Sequence, residues 1–274
     1  MIVAESSAPI VGASEAGSRR AVAAMLFALV PLAALIHYGP DVGYWFPALV
    51  IALAIVGLLL FRRPFVAGPA RPGLTIAALP AGIVALAAAI GLAAAAGAVE
   101  QRSRPDVSWG LFLGGTLLIV AKAFGEELLF RGLLQPILCR AWGAFAGIVM
   151  AALAFMAIHV IGGWRDPVSL ANIALGGGWF GLLAWRTGGI LAPTLAHAAY
   201  NWAEEMLFGA TPNPGLGGFG ALYDFDLVGS ARLGGSADGL NASLLLTLVL
   251  VAIILPLVFG RPGMGKAKSN MGQS

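Results

Sequence analysis

The chain has 274 residues, of which 59% are hydrophobic and only 11% charged, with a formal net charge of +3. Soluble domains carry about 25% charged residues, and a water-soluble fold of this size has too little interior to hide so much apolar side chain. The composition therefore excludes an ordinary soluble enzyme, and the single cysteine, Cys139, excludes an intramolecular disulfide framework or a cysteine metal cluster.

The first 20 residues are small and polar, with no early basic stretch of a cleavable signal, and read as a disordered cytoplasmic tail. A helix needs about 20 mostly apolar residues to cross the hydrocarbon core. Eight windows meet that need: 21–37, 44–61, 74–99, 108–138, 142–162, 168–185, 190–208 and 243–260. The expected fold is all-α, a polytopic integral membrane protein of about eight transmembrane helices. The fourth window is too long for one straight crossing.

Basic residues gather at alternate ends. Arg19, Arg20, Arg62, Arg63, Arg71, Arg140, Arg186, Arg261, Lys266 and Lys268 share one side. Arg102, Arg104, Arg165 and Arg232 lie on the other, diluted by acids. The positive-inside rule then puts both termini in the cytoplasm. Trp45, Trp109, Trp142, Trp164, Trp185 and Trp202 fall near window ends, where aromatic anchors belong. The organisation follows: a tail at 1–20, a three-helix region at 21–107, a polar-site core at 108–208, a glycine-rich segment at 209–242, and a last span with a basic tail at 243–274. The glycine-rich segment reads as a mobile external loop. The alanine-rich third window suits close helix contact.

Charge inside a membrane is costly and marks function by default. The fourth window holds Lys122, Glu126, Glu127 and Arg131, the fifth His159, the sixth Asn172, and the seventh His197, Asn201, Glu204 and Glu205. Glu127 and Arg131 are one turn apart with the acid first, the favourable order for a pair. Glu126 points about 100° away and is freer to face a cavity. His197 and Asn201 share one helical face. The site is therefore expected between helices four to seven. Asn172 and the neighbouring glycines read as a close helix approach. Glu204 and Glu205 read as interfacial. Carboxylates, imidazoles and a carboxamide are the parts of a peptide-bond hydrolase that lacks a Ser or Cys nucleophile. The set Glu126, His159 and His197 is also a possible zinc set, a minority reading without a His-Glu-x-x-His run. A proton relay or transporter is a rival use of such residues, but no repeat between halves is present. A non-catalytic membrane scaffold or immunity protein is the other alternative.

Three motifs carry a resemblance. The segment "EELLFRG" (126–132) resembles the EExxxR motif of the CAAX prenyl endopeptidase and bacteriocin-processing (CPBP, or ABI) family of intramembrane proteases. The segment "FMAIH" (155–159) is similar to its FxxxH motif, and "HAAYN" (197–201) to its HxxxN/D motif. All three stand in the family's order, within residues 108–208. The resemblance implies a glutamate-dependent intramembrane endopeptidase. In it Glu126 activates water, His159 works with Glu126, His197 and Asn201 form the oxyanion hole, and Glu127 and Arg131 support the site. It implies no metal cofactor, with zinc as the alternative. The partners implied are a membrane-associated protein or peptide substrate and the lipid bilayer, and no nucleic acid. The expected location is a bacterial inner membrane. Lys122 has no counterpart in the motif.

Overall fold

The computed structural model describes residues 14–38, 44–62, 71–103, 105–211 and 216–260. Most of the expected N-terminal tail, the basic C-terminal tail and residues 212–215 lie outside the described residues. Helical rods occupy all eight apolar windows. They are α1 (Glu15–Tyr38), α2 (Phe46–Leu60), α3 (Pro72–Ala95), a rod running from α4 (Trp109–Glu127) into α5 (Gln135–Trp142), α6 (Ala144–Ile161), α7 (Pro167–Thr187), α8 (Leu191–Trp202) and α9 (Leu244–Phe259). The protein is an all-α integral membrane protein. Large apolar side chains such as Leu26, Leu59, Ile76, Phe145 and Phe259 point outward, where lipid replaces water.

The expected count of eight crossings is not what length and polarity alone deliver. Among the described residues, four helices are long and apolar enough to span: Glu15–His37, Pro72–Ala95, Ala144–Ile161 and Pro167–Thr187. The helices Phe46–Leu60 and Leu244–Phe259 are apolar but shorter. The rod through α4, which carries Lys122, Glu126, Glu127 and Arg131, is not among the four.

That rod is the long fourth window, and its length has a structural outlet. Between α4 and α5 the chain widens into a π-helical segment, Leu128–Leu134. Pro136 follows at once. It has no N–H to donate and its ring crowds the carbonyl four residues back, so the helix cannot continue with regular spacing through this point. A second π-helical segment, Ala203–Leu207, extends α8.

Two apolar cores flank the polar region. One joins α1, α2, α6 and the first π segment through Leu32, Val50, Phe130, Leu134 and Phe155. The other joins α3, α7, α8 and α9 through Leu86, Trp179, Ala196 and Leu250. Small residues let α3 and α8 approach closely. A Cβ on Gly82 would lie 2.3 Å from the Ala196 carbonyl oxygen. The reading of the third window as a close-packing helix holds.

The expectation of a mobile loop at 209–242 is corrected. The described part is a tied-down cap. Its strand β2 (Phe225–Leu227) pairs antiparallel with β1 (Val99–Gln101), matching Val99 to Leu227 and Gln101 to Phe225. Arg232 Nη1 donates to both carboxylate oxygens of Asp166, each at 2.9 Å. The Ser169 hydroxyl donates to Asp238 at 2.7 Å. Asn172 Nδ2 donates to the carbonyls of Asn241 and Ser243, and its Oδ1 accepts from Thr247. Asp166, Ser169 and Asn172 form one stripe along the start of α7. Asn172 is thus a latch for the cap and α9, a role beyond helix approach. At the other end Phe219 fills the space above Gly115, where a Cβ would come within 2.6 Å of its side chain.

Candidate active site

The polar residues of α4, α6 and α8 converge. Glu126 and Glu127 end α4, one facing a cavity and the other the interior. Glu127 is wholly buried and Arg131 is 2% exposed. Arg131 Nη1 donates to Glu127 Oε1 at 2.8 Å, closing the expected one-turn pair. Its Nη2 donates to the carbonyl oxygen of Gly177 at 2.9 Å. Gly177 suits that position by size: a Cβ there would lie 3.2 Å from the Ala152 Cα, a tight contact, so glycine lets α6 and α7 approach closely. The guanidinium also lies 4.8 Å from the Phe155 ring centroid and 5.6 Å from that of Phe180, a cation–π setting. A buried charge needs such partners on every side.

His197 joins this pair. Its Nδ1 lies 2.9 Å from Glu127 Oε1, and its Nε2 lies 3.8 Å from Glu126 Oε2. The same Glu127 oxygen accepts from Arg131, so Glu127 acts as a carboxylate and the His197 Nδ1 as the donor. Phe180 stacks on the imidazole at 4.6 Å and 17°, and Phe155 meets it edge-on at 6.0 Å. The ring is fixed in position and tilt. His159 is held differently. Its Nδ1 is 2.8 Å from the Phe155 carbonyl oxygen one turn back, and a carbonyl can only accept. The proton is therefore on Nδ1, and in the neutral ring Nε2 is left as an acceptor.

A cavity of about 290 Å³ gathers these groups. Glu126, His159, His197 and Asn201 line it, together with Lys122, Trp164, Asn172, Tyr200, Glu204 and Glu205. The expected catalytic set is brought to one place. Glu127 and Arg131 stand behind it, out of the cavity wall. A second, more apolar cavity between α1, α2, α4 and α6 meets the first across Lys122, Glu126, Phe155, His159 and Trp164. Glu204 and Glu205 were expected at the interface; they lie on the π-helical extension of α8, one turn after Tyr200 and Asn201, and line the cavity. Trp164 likewise walls both cavities, and Trp202 donates its indole N–H to Thr116, so neither is a plain anchor. Trp45, Trp109 and Trp185 remain outward-facing, as anchors should.

Sequence reasoning missed Phe180 and Tyr200, and it read Gly177 as a close helix approach, which the structure shows, but not as the backbone acceptor of Arg131. Phe180 lies on α7, where no motif residue flagged it. The glycine run 176–178 was the available signal for a backbone carbonyl offered to another helix. Among the described residues no three His, Cys, Asp or Glu side chains are grouped as a metal site. His197 turns Nδ1 to Glu127 and His159 turns Nδ1 to a backbone carbonyl, so each ring keeps its Nε2 clear of those partners.

Residues 108–203 match the family described as type II CAAX prenyl endopeptidase Rce1-like. The matched core is similar to that family of CAAX-type proteases, which supports the resemblance carried by the three motifs. No curated protein and no solved structure matches the chain. The match takes in the rod from α4 to α5, α6, α7 and α8, and with them Glu126, Glu127, Arg131, His159, His197 and Asn201. The cap, α9 and the first three helices lie outside the matched residues.

Proposed function

We propose that the protein is an intramembrane endopeptidase that hydrolyses a peptide bond of a membrane-associated protein or peptide, using Glu126 to activate water. One observation carries the reading. Of two adjacent buried carboxylates, Glu127 is consumed by Arg131 and His197, while Glu126 lines a polar cavity opposite His159. Two acids with different surroundings take different tasks.

In this mechanism a water in the cavity gives one proton to the Glu126 carboxylate as its oxygen attacks the scissile carbonyl carbon. The His159 Nε2 lone pair accepts the second O–H and aims the attack. The carbonyl oxygen becomes an oxyanion, held by donors from His197 and Asn201. Because Nδ1–H of His197 is committed to Glu127, a donor at Nε2 requires the imidazolium form, with the Glu127 carboxylate as its counter-charge. Glu126 then passes its proton to the leaving nitrogen and the C–N bond breaks. No step uses a metal. The alternating basic ends favour both termini in the cytoplasm of a bacterial plasma membrane.

The test is cleavage by the full-length protein in nanodiscs, offered a prenylated CAAX-terminated reporter peptide and its unprenylated twin. Wild type is compared with Glu126→Gln and His159→Ala. Cleavage that survives both changes would overturn the glutamate mechanism.

A further inference from the structure

A third cavity, of about 430 Å³, shares no lining residue with the other two. It lies between the first π segment, α5, the end of α7 and the turn into α8. Arg131, Gln135 and Arg140 line it, beside Trp185 and Gly189, and no carboxylate does. Its chemistry is therefore that of an anion site.

Two buried groups in its wall are incomplete. Arg131 is 2% exposed and uses Nη1 and Nη2 on Glu127 and Gly177, but its Nε–H has no partner. Gln135 is 3% exposed and donates Nε2–H to the Gly181 carbonyl, but its Oε1 has no partner. They stand one helical turn apart. A buried donor and a buried acceptor left unmade are costly, and such pairs call for an explanation. Arg140 is exposed and forms no ion pair among the described residues. A single water would satisfy Nε–H and Oε1, yet it would leave Arg140 uncompensated and most of the space empty. A phosphate with a hydroxyl nearby matches the chemistry of the set: its oxygens accept from guanidinium groups, and the hydroxyl donates to an amide oxygen. Trp185, half exposed at the end of α7, sets the depth at a membrane interface, where headgroups lie.

We propose that this cavity binds the phosphate of an anionic phospholipid headgroup. The bound phosphate completes Arg131 from the side opposite Glu127. The lipid thereby steadies the ion pair that holds His197, from outside the reaction cavity.

The experiment uses purified full-length protein in nanodiscs of phosphatidylcholine alone or with phosphatidylglycerol, and in detergent with inorganic phosphate. Thermal unfolding is measured, and native mass spectrometry counts retained lipid. Wild type is expected to gain several degrees in Tm with phosphatidylglycerol and to retain one molecule of it. Arg140→Gln is expected to lose both effects, while Arg62→Gln, a loss of another exposed basic residue, keeps them. A gain with inorganic phosphate but not with the lipid supports the phosphate site and assigns its source to the free anion. No gain with either probe overturns the proposal and leaves water as the occupant. An equal gain in Arg140→Gln, or an equal loss in Arg62→Gln, overturns it in favour of diffuse surface attraction.

Discussion

His197 and Arg131 meet on one atom, Oε1 of Glu127, at 2.9 and 2.8 Å. In the proposed mechanism the carboxylate serves the fold through the arginine and the chemistry through the imidazole. The two roles are separable. Glu127→Gln leaves Arg131 buried without its counter-charge, and breaking such a pair costs about 3–5 kcal/mol. A large fall in Tm and loss of cleavage are expected. Adding Arg131→Met removes the stranded charge, so much of the stability should return. Cleavage should not, because the amide oxygen left at position 127 still accepts from His197 but supplies no counter-charge to its imidazolium. A double variant that regains both would show the pair to be structural only.

Glu126 makes the opposite prediction. It faces a cavity and forms no bond shorter than its 3.8 Å approach to His197. Glu126→Gln should leave Tm nearly unchanged. Loss of a positioned general base typically costs about 10²- to 10⁴-fold in rate, and cleavage should fall by at least that much. Incubation with a chelator should leave the wild-type rate unchanged, since the residues are not grouped as a metal site. Activity abolished by chelation and restored by zinc would reverse the assignment.

Spacing made part of this legible. The one-turn relation of Glu127 to Arg131, and the outward turn of Glu126, follow from helix geometry on an apolar background. The second partner of Glu127 did not, because His197 reaches it from another helix, and no local pattern encodes that contact. The same limit explains the cap. Glycine-rich composition at 209–242 suggested mobility, while the bonds that hold it come from Asp166, Ser169 and Asn172 on α7. Each looks unremarkable in sequence: a helix cap, a small polar residue and an amide beside glycines. Glu204 and Glu205 were misplaced for a third reason. They lie near the end of a window and so read as interfacial, yet Glu205 stands one turn after Asn201 on the same stripe, and the cavity extends as far as both acids.

The cap has a charge clamp outside the membrane. The Arg232 guanidinium, and then the backbone N–H of Ser169, hold the Asp166 carboxyl below its ordinary range. A carboxylate depressed by folding stabilises above its unfolded pKa, about 3.9, and loses that contribution as pH falls through the lower folded value. Amide exchange in residues 225–242, corrected for intrinsic rate, should therefore rise in acid, starting below about pH 4. Asp166→Asn keeps a good helix cap but removes the charge. It should exchange faster at neutral pH and show no acid step. A step that persists in this variant would assign the effect to another group.

Gly82 tests the packing that places α8, and with it His197 and Asn201. A Cβ there would lie 2.3 Å from the Ala196 carbonyl oxygen and 2.9 Å from the Tyr200 nitrogen, both backbone atoms that cannot step aside. Overpacking of this kind costs about 1–3 kcal/mol or more. Gly82→Ala should lower Tm, and Gly82→Val should lower it further. Because Ala196 and Tyr200 adjoin His197 and Asn201, the loss of cleavage should exceed what unfolded protein accounts for. Gly91 on the same helix is the control. Nothing lies within 4 Å of its Cβ position, and alanine gains about 0.5–1 kcal/mol over glycine inside a helix. Gly91→Ala should hold or raise Tm and leave cleavage unchanged. Equal damage from both substitutions would mean that α3 responds to any added methyl, and that the contact at Gly82 does not set the position of α8.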